Sequence, residues 1–538
     1  MTELPRAAAS PVDYPPTSWA LVERAADAFA DHVLLADDYG RTLTGSGLRD
    51  AARAAAAGLH DLGVGPGSVV SWQLPSTLEA MVVKLALARL GAVQNPIIPV
   101  LREREVAFIT AQLQSEYLLV PEEWRGFSHG AMARALADER GLRVVICDHA
   151  TDPTSIANAL RLPTGDLATL PPPPDADDVR WVYYSSGTTA EPKGIRHTDA
   201  SVMASASGPI GPLAAAAGDV YPLAIPMTHI GGMAMLTASL CTGMRLVLFD
   251  GFDPGTTPER MAAHGATVLG SAVPFYVAYM DAQERHGPDP LFARLRVVTG
   301  GGAQLPEAVN QQVREVFGVP GVVNSWGLTE FPVATYPTPD DPPECLLETV
   351  GPPVPGVTVR VVGDDERERG PLEEGELRLK GPQCFAGYAD PSLDADAFDA
   401  DGWFRTSDLG LVDADGNVRV TGRIKDIIIR NAENVSAIEV EEALLRHPAV
   451  ADVAVIGIPD PRTGERVCAV VVVVPGASLD LPSILEHCGT LEIARYKTPE
   501  RLEIVDDIPR NSMGKVLKGE LRSRFGFPEP SSTADRST

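Results

Sequence analysis

Apolar positions along the first hundred residues follow two rhythms. Leu48, Ala52, Ala55, Leu59 and Leu62 recur three or four apart, which predicts an amphipathic helix with Gly63 just past its C-terminus. After the turn Gly65-Pro66-Gly67, the run 69–74 predicts a buried strand, and 76–90 predicts a second helix ended by Gly91. This alternation of strand and helix argues for an α/β fold with a largely parallel sheet.

Four later apolar runs end in residues able to do chemistry. Residues 181–184 lead into a Ser/Thr/Gly loop, and 221–227 lead to His229. Residues 296–299 end in Gly300, Gly301 and Gly302, and 418–420 precede Gly422-Arg423-Ile424-Lys425-Asp426. Beyond this point Ser436-Ala437-Ile438-Glu439 predicts a capping box opening a helix that turns Val440, Leu444 and Leu445 inward. Strands over 450–458, 467–474 and 502–505, with a helix near Ile484, complete a small α+β domain. The run 171–174, all proline, with Asp175, Asp177 and Asp178, reads as a stiff connector. Composition predicts disorder over 528–538.

A chain of 538 residues is too long for one core, so two or more domains are expected. Its formal charge of −27 argues against non-specific binding to nucleic acid or to an anionic membrane. An anionic substrate then needs a local basic pocket, which Lys193, Arg405, Arg423 and Lys515 could supply. The six cysteines form no C-x-x-C pair and read as reduced. The sequence has no apolar signal core and no stretch of membrane-spanning length, so no integral membrane segment and a cytoplasmic location are expected.

Residues 181–197 read WVYYSSGTTAEPKGIRH. The strand-like start delivers Ser185, Ser186, Gly187, Thr188, Thr189, Lys193 and Gly194 to one loop. Glycines and hydroxyls let backbone N–H groups converge, and a lysine adds a cation, which together make a cradle for phosphate. The pattern G-x-x-x-x-G-K-S/T is not met, because Gly194 follows Lys193.

The run SSGTTAEPKG resembles the signature loop of the adenylate-forming superfamily of acyl-CoA synthetases, peptide-synthetase adenylation domains and beetle luciferases. Four further stretches resemble its remaining motifs, in order: 325–330 (SWGLTE), 402–408 (GWFRTSD), 422–426 (GRIKD) and 509–515 (PRNSMGK). The resemblance implies an α/β fold with a large N-terminal domain of layered sheets and helices and a small mobile α+β C-terminal domain. On this sequence it places an AMP-binding and acyl-pocket domain at 1–421, a hinge at 422–426 and the mobile domain at 427–527. It implies that Ser185, Ser186, Gly187, Thr188, Thr189 and Lys193 hold phosphate, and that Gly302, Ala303, Trp326, Gly327 and Thr329 border the nucleotide. Trp326 stands where the family usually has tyrosine, and an indole can still stack on a purine. Asp408 and Arg423 become the ribose-binding pair, Glu330 the Mg²⁺ ligand and Lys425 the hinge residue. Lys515 becomes the catalytic lysine bridging carboxylate and α-phosphate. Lys193 and His229 join the catalytic set, His229 as a wall or gate of the acyl pocket rather than a base.

The implied reaction uses ATP, Mg²⁺ and coenzyme A: a small carboxylic acid is activated as acyl-AMP and then transferred to a thiol. The stretches 69–75, 102–106 and 124–127 look similar to synthetases of cyclohexanecarboxylate-like and short- to medium-chain acids. Gly231, Gly232 and Gly300 to Gly302, near Phe275 and His229, suggest room for a bulky acid. Where the family has Gly-Gly-Glu-Asn beside the pantetheine tunnel, this chain has Asn431-Ala432-Glu433-Asn434. Three alternatives stay open: a separate carrier protein as acceptor, a homodimer, and a silent acyl- or nucleotide-binding relative.

Overall fold

A computed structural model describes residues 13–148, 162–185, 192–302, 305–430, 433–460, 462–491, 493–511 and 514–526. The tail expected at 528–538 lies outside them. The helix predicted from Leu48 spans Gly45–Asp61, and Thr44 caps it by accepting the Gly47 N–H. Leu48, Ala52, Ala55 and Leu59 are buried as their spacing requires, whereas Leu62 is the C-cap and is 45% exposed. The second helix, Leu78–Leu90, starts at the Thr77 cap and stops at Gly91, whose φ of +69° suits only glycine well. Every residue of this helix is buried, including Glu79, Lys84 and Arg89, because it packs among the helices Ser18–Ala28 and Gly45–Asp61 and the strands Val33–Asp37 and Val93–Pro96.

Three sheets carry the expected parallel layering. The six-stranded sheet runs Arg143–Ile146, Tyr117–Val120, Val69–Trp72, Val93–Pro96, Val179–Ser185, Lys193–Thr198, and only its last pair is antiparallel. A second joins Val33–Asp37, Arg245–Leu248 and Val220–Leu223 in parallel, with Thr42–Thr44 as an antiparallel edge. The third, Val268–Ser271, Val297–Gly301 and Val322–Ser325, is wholly parallel. A fourth sheet departs from that expectation. Thr358–Val362, Gly375–Lys380, Phe404–Val412 and Val418–Arg423 form an antiparallel meander with its own core around Phe331, Leu377, Leu379 and Phe404.

The chain leaves this meander through one 3-10 turn, Ile424–Asp426, and enters a small C-terminal unit built on a five-stranded sheet. Its strands are Glu433–Ser436, Ile427–Arg430, Gly464–Val473 and Val450–Asp460, with Arg501–Ile504 parallel to Gly464–Val473. Apolar clusters cover both faces, one built on Val440, Leu444 and Ile484 and the other on Ile456, Ile508 and Leu521. Ser436 caps the helix Ala437–Leu445 as predicted, but Glu439 does not close the box. Its carboxylate accepts from the Lys497 ammonium at 2.7 Å, an ion pair outcompeting a local backbone bond.

Candidate active site

The strand Val179–Ser185 returns as Lys193–Thr198 with Ser185 opposite Lys193, so both stand at the mouth of the six-stranded sheet. Ser186, Gly187, Thr188 and Thr189 lie outside the described residues. The free edge of Lys193–Thr198 takes up residues 386–389: the Ala386 N–H donates to the Arg196 carbonyl at 2.7 Å and the Ala389 N–H to that of Gly194 at 2.7 Å. This pairing sets Tyr388 under Lys193, whose ammonium lies 5.2 Å from the ring centroid. The same tyrosine donates its hydroxyl to Glu330 Oε1 at 2.9 Å. Lys193 and Glu330, far apart in sequence, thus meet across one aromatic ring.

Two residues that the motif reading missed hold this corner. Tyr388 is one. The other is His197, fully buried, whose Nε2 donates to the Thr329 carbonyl at 2.8 Å and fixes the backbone one residue before Glu330. Burial pushes the His197 imidazole down to about 4, so it stays neutral at physiological pH. Its place near the end of the strand Lys193–Thr198, which follows the Ser/Thr/Gly loop, is its only sequence signal.

Trp326 and Asp408 form the second corner. A Cβ on Gly327 would lie 2.3 Å from the Pro332 carbonyl, so glycine is required for the turn that follows the indole. The Trp326 Nε1–H donates to Asp408 Oδ2 at 2.8 Å. Strand register pairs Asp408 with Arg423, and the guanidinium Nε lies 2.7 Å from Asp408 Oδ1. Gly302 adopts φ +77° and has open space around it, while Ala303 is outside the described residues.

The smaller unit supplies the third corner. The Asn511 N–H donates to the Lys515 carbonyl, and the Asn511 side chain accepts the Lys515 N–H at 2.9 Å, pinching off a tight loop. Arg510 braces it through Asp452 at 2.8 Å. Gly514, at φ +78°, sits so close that an added Cβ would meet Pro274 at 3.0 Å, so the loop docks at the start of the helix Val273–His286. Burial lowers the Lys515 ammonium to about 8, Arg423 pushing the same way and Asp408, Asp426 and Glu330 opposing. Lys515 is therefore in the field of Arg423, Asp408, Asp426 and Glu330 at the contact between the two units. Lys425 lies in the connecting 3-10 turn, where the neighbouring Asp426 is tied to Arg522 at 2.9 Å.

Two expectations are corrected. Arg405 does not join a basic pocket with Lys193, Arg423 and Lys515: it lies 3.1 Å from Glu366 and 3.7 Å from Glu376, beside Arg378, and these carboxylates consume its charge. The glycines do not all make room for an acid. The Tyr276 hydroxyl fills the space beside Gly300, Ser325 that beside Gly301, and the Met227 backbone that beside Gly232. Phe275 packs edge-on against Phe252 at 4.7 Å in the core. His229 caps the helix Ile230–Thr242, its Nδ1 accepting the Gly231 N–H at 3.1 Å, and burial holds it down at about 4. It lines a narrow cleft of about 20 Å³ with Pro96, Ile97, Ile98, Leu101, Ile109, Tyr183, Tyr184, Thr228, Ile230 and Thr329. A neutral imidazole here suits a wall and not a base.

Among the described residues no group of three or more His, Cys, Asp and Glu gathers to hold a metal. Glu330 alone fits Mg²⁺ in the manner of a site completed by substrate phosphates, since one or two carboxylates then suffice. No helix among the described residues is long and apolar enough to cross a membrane.

The AMP-binding enzyme family profile matches residues 22–389, and the AMP-binding enzyme C-terminal domain profile matches 439–515. The chain is 30% identical to the medium-chain fatty-acid–CoA ligase of Escherichia coli (strain K12), over 93% of its own length and 89% of that protein. It is 35% identical to a salicylyl-CoA synthase / salicylate adenylyltransferase of Streptomyces sp, over 92% and 91%. The crystal structure of ATP-bound MatB from Rhodopseudomonas palustris superimposes with a TM-score of 0.83 at 27% identity, covering 94% of this chain and 99% of that one. With its large α/β unit, its small C-terminal unit and three corners of motif residues meeting between them, this chain belongs to the AMP-binding enzyme family.

Proposed function

We propose that this protein is an ATP-dependent acid–thiol ligase that makes acyl-CoA through an acyl-adenylate. The observation that carries the reading is Lys515: a part-buried ammonium on the small unit's loop, which docks against Pro274 and so brings it into the field of Asp408, Arg423 and Glu330. A cation in that position holds two anions, carboxylate and phosphate, that otherwise repel, and it stabilises charge as it builds on the α-phosphate.

In the first half-reaction a carboxylate oxygen of the acid attacks the α-phosphorus of ATP, the α–β bridging bond breaks, and acyl-AMP and pyrophosphate form. Ser185, the 186–189 loop and Lys193 hold the β- and γ-phosphates. Trp326, Gly327, Thr329, Gly302 and Ala303 border the adenine, and Asp408 and Arg423 take the ribose. Glu330, together with the substrate phosphates, would hold Mg²⁺, which would neutralise charge on the leaving pyrophosphate. In the second half-reaction the thiol of CoA attacks the acyl carbonyl, its proton passes to solvent and AMP leaves. Lys425 is the pivot between the two, dividing a domain at 1–421 from a mobile one at 427–527, and His229 walls the acyl group.

The medium-chain fatty-acid and salicylate relatives support a monocarboxylic acid with an apolar body. The test is ATP- and Mg²⁺-dependent AMP release over straight-chain, alicyclic, aromatic and amino acids, with and without CoA. Release that requires CoA and favours one apolar class is expected. Pyrophosphate release with no thioester would replace CoA by a carrier-protein acceptor, and no turnover with any acid would overturn the reading.

A further inference from the structure

We infer that Trp326 is a positioning residue for the nucleotide sugar, acting through its indole N–H on Asp408 and not only through its ring face. The inference rests on the proposed adenylation and assigns to this chain's tryptophan a task that a tyrosine in its place could not perform in the same way.

The two oxygens of Asp408 are held differently. Oδ2 accepts the indole N–H at 2.8 Å, a directed bond to a charged acceptor. Oδ1 has the Arg423 Nε at 2.7 Å but no aligned donor, and it is buried without a hydrogen-bond partner. A buried carboxylate oxygen with an unfilled lone pair is costly unless something donates to it. A vicinal diol at the edge of the site supplies such a donor.

The two partners also differ in freedom. Trp326 is 7% exposed and packed in the core of the antiparallel sheet, with Thr335 bridged to its backbone. The Arg423 side chain is 34% exposed, close to Lys515 and Asp426, and can swing toward phosphate. When Arg423 turns to the nucleotide, the indole N–H alone keeps the carboxylate plane, with Oδ1 presented to the sugar. Burying the indole edge-on in this way orders the acceptor before the nucleotide arrives, which is where the gain in affinity comes from.

The test uses the full chain, with Trp326→Phe and Trp326→Tyr. Both keep an aromatic ring and remove the donor at Nε1. Two replacement rings are used so that a folding failure of one leaves the other to decide. Acid-dependent ATP–pyrophosphate exchange is read with ATP, 2′-deoxy-ATP and 3′-deoxy-ATP, and nucleotide affinity is read by titration calorimetry. The KM and Kd for ATP are expected to rise about tenfold in the variants with kcat within about twofold, as for loss of one hydrogen bond to a charged group. The preference for ATP over the deoxynucleotides should shrink by the same factor. Variants that weaken ATP and deoxy-ATP equally would overturn the inference, leaving Trp326 as a stacking or packing residue. A wild type that exchanges pyrophosphate with no acid would instead overturn the proposed function, so the two failures are distinct.

Discussion

The site is built from two regions that treat their polar groups in opposite ways. On the large unit, acceptors are held before any substrate arrives: the Glu330 carboxylate by the Tyr388 hydroxyl, the Asp408 carboxylate by the Trp326 indole, and the Thr329 carbonyl by neutral His197. On the small unit, the loop is braced through its backbone and Arg510, while the Lys515 ammonium is part-buried and its pKa is lowered to about 8. Acceptors fixed in place make a template, and a part-buried cation carried by the small unit gains most when two more anions appear. The division assigns binding to the large unit and rate to the small one.

Removing the small unit's cation should give the largest effect. Lys515→Ala is expected to lower kcat for ATP–pyrophosphate exchange by about 10²–10³-fold, as for other groups that stabilise developing oxyanion charge, while ATP affinity by calorimetry moves less than about threefold. A matching loss of ATP binding would erase the distinction between the halves.

A pH series sharpens the same point. With the folded pKa of Lys515 lowered from 10.5 to about 8, the free enzyme loses this proton above pH 8, and kcat/KM for adenylation should fall about tenfold per unit beyond it. Stability runs the other way. The unfolded chain holds the proton more tightly, so the cost of burying the ammonium is full below pH 8 and fades toward pH 10.5. The melting temperature of the wild type relative to Lys515→Ala should therefore rise across that window.

On the fixed side, Tyr388→Phe keeps the ring under Lys193 and removes only the donor to Glu330. The Mg²⁺ concentration for half-maximal exchange should rise about tenfold, as when a partner of a metal ligand is lost. The smallest effect belongs to Arg446→Ala. This residue pairs with Glu307 across the two units at 3.0 Å, but both side chains are more than half exposed, so less than about 1 kcal/mol is at stake and exchange should change by no more than about fivefold.

How much of this was legible in the sequence follows from the range of the interactions. The helix that carries Leu48, the Gly91 stop and the strand that runs into Gly300 and Gly301 are set by neighbours in the chain, and the structure has them where the pattern puts them. The motif residues were legible because their chemistry is carried by short spacings. Contacts between motifs were not. Nothing near Trp326 in sequence says that its N–H reaches Asp408, and nothing near Arg405 says that Glu366 captures it. Nor does composition reveal that Tyr276 and Ser325 occupy the room left by two glycines. The all-buried helix Leu78–Leu90 reads as half-polar at Glu79, Lys84 and Arg89, because its sequence does not record that layers close on every side.

The most direct test of the division of labour is a single-turnover measurement that bypasses the first half-reaction. Synthetic acyl-adenylate of the preferred acid is mixed with CoA and either the wild type or Lys515→Ala, and thioester formation is followed. If Lys515 serves only the adenylating arrangement seen here, the variant should form thioester within about threefold of the wild-type rate while exchange is nearly lost. Thioester formation lost to the same extent as exchange would contradict the account, because the lysine would then serve the site as a whole.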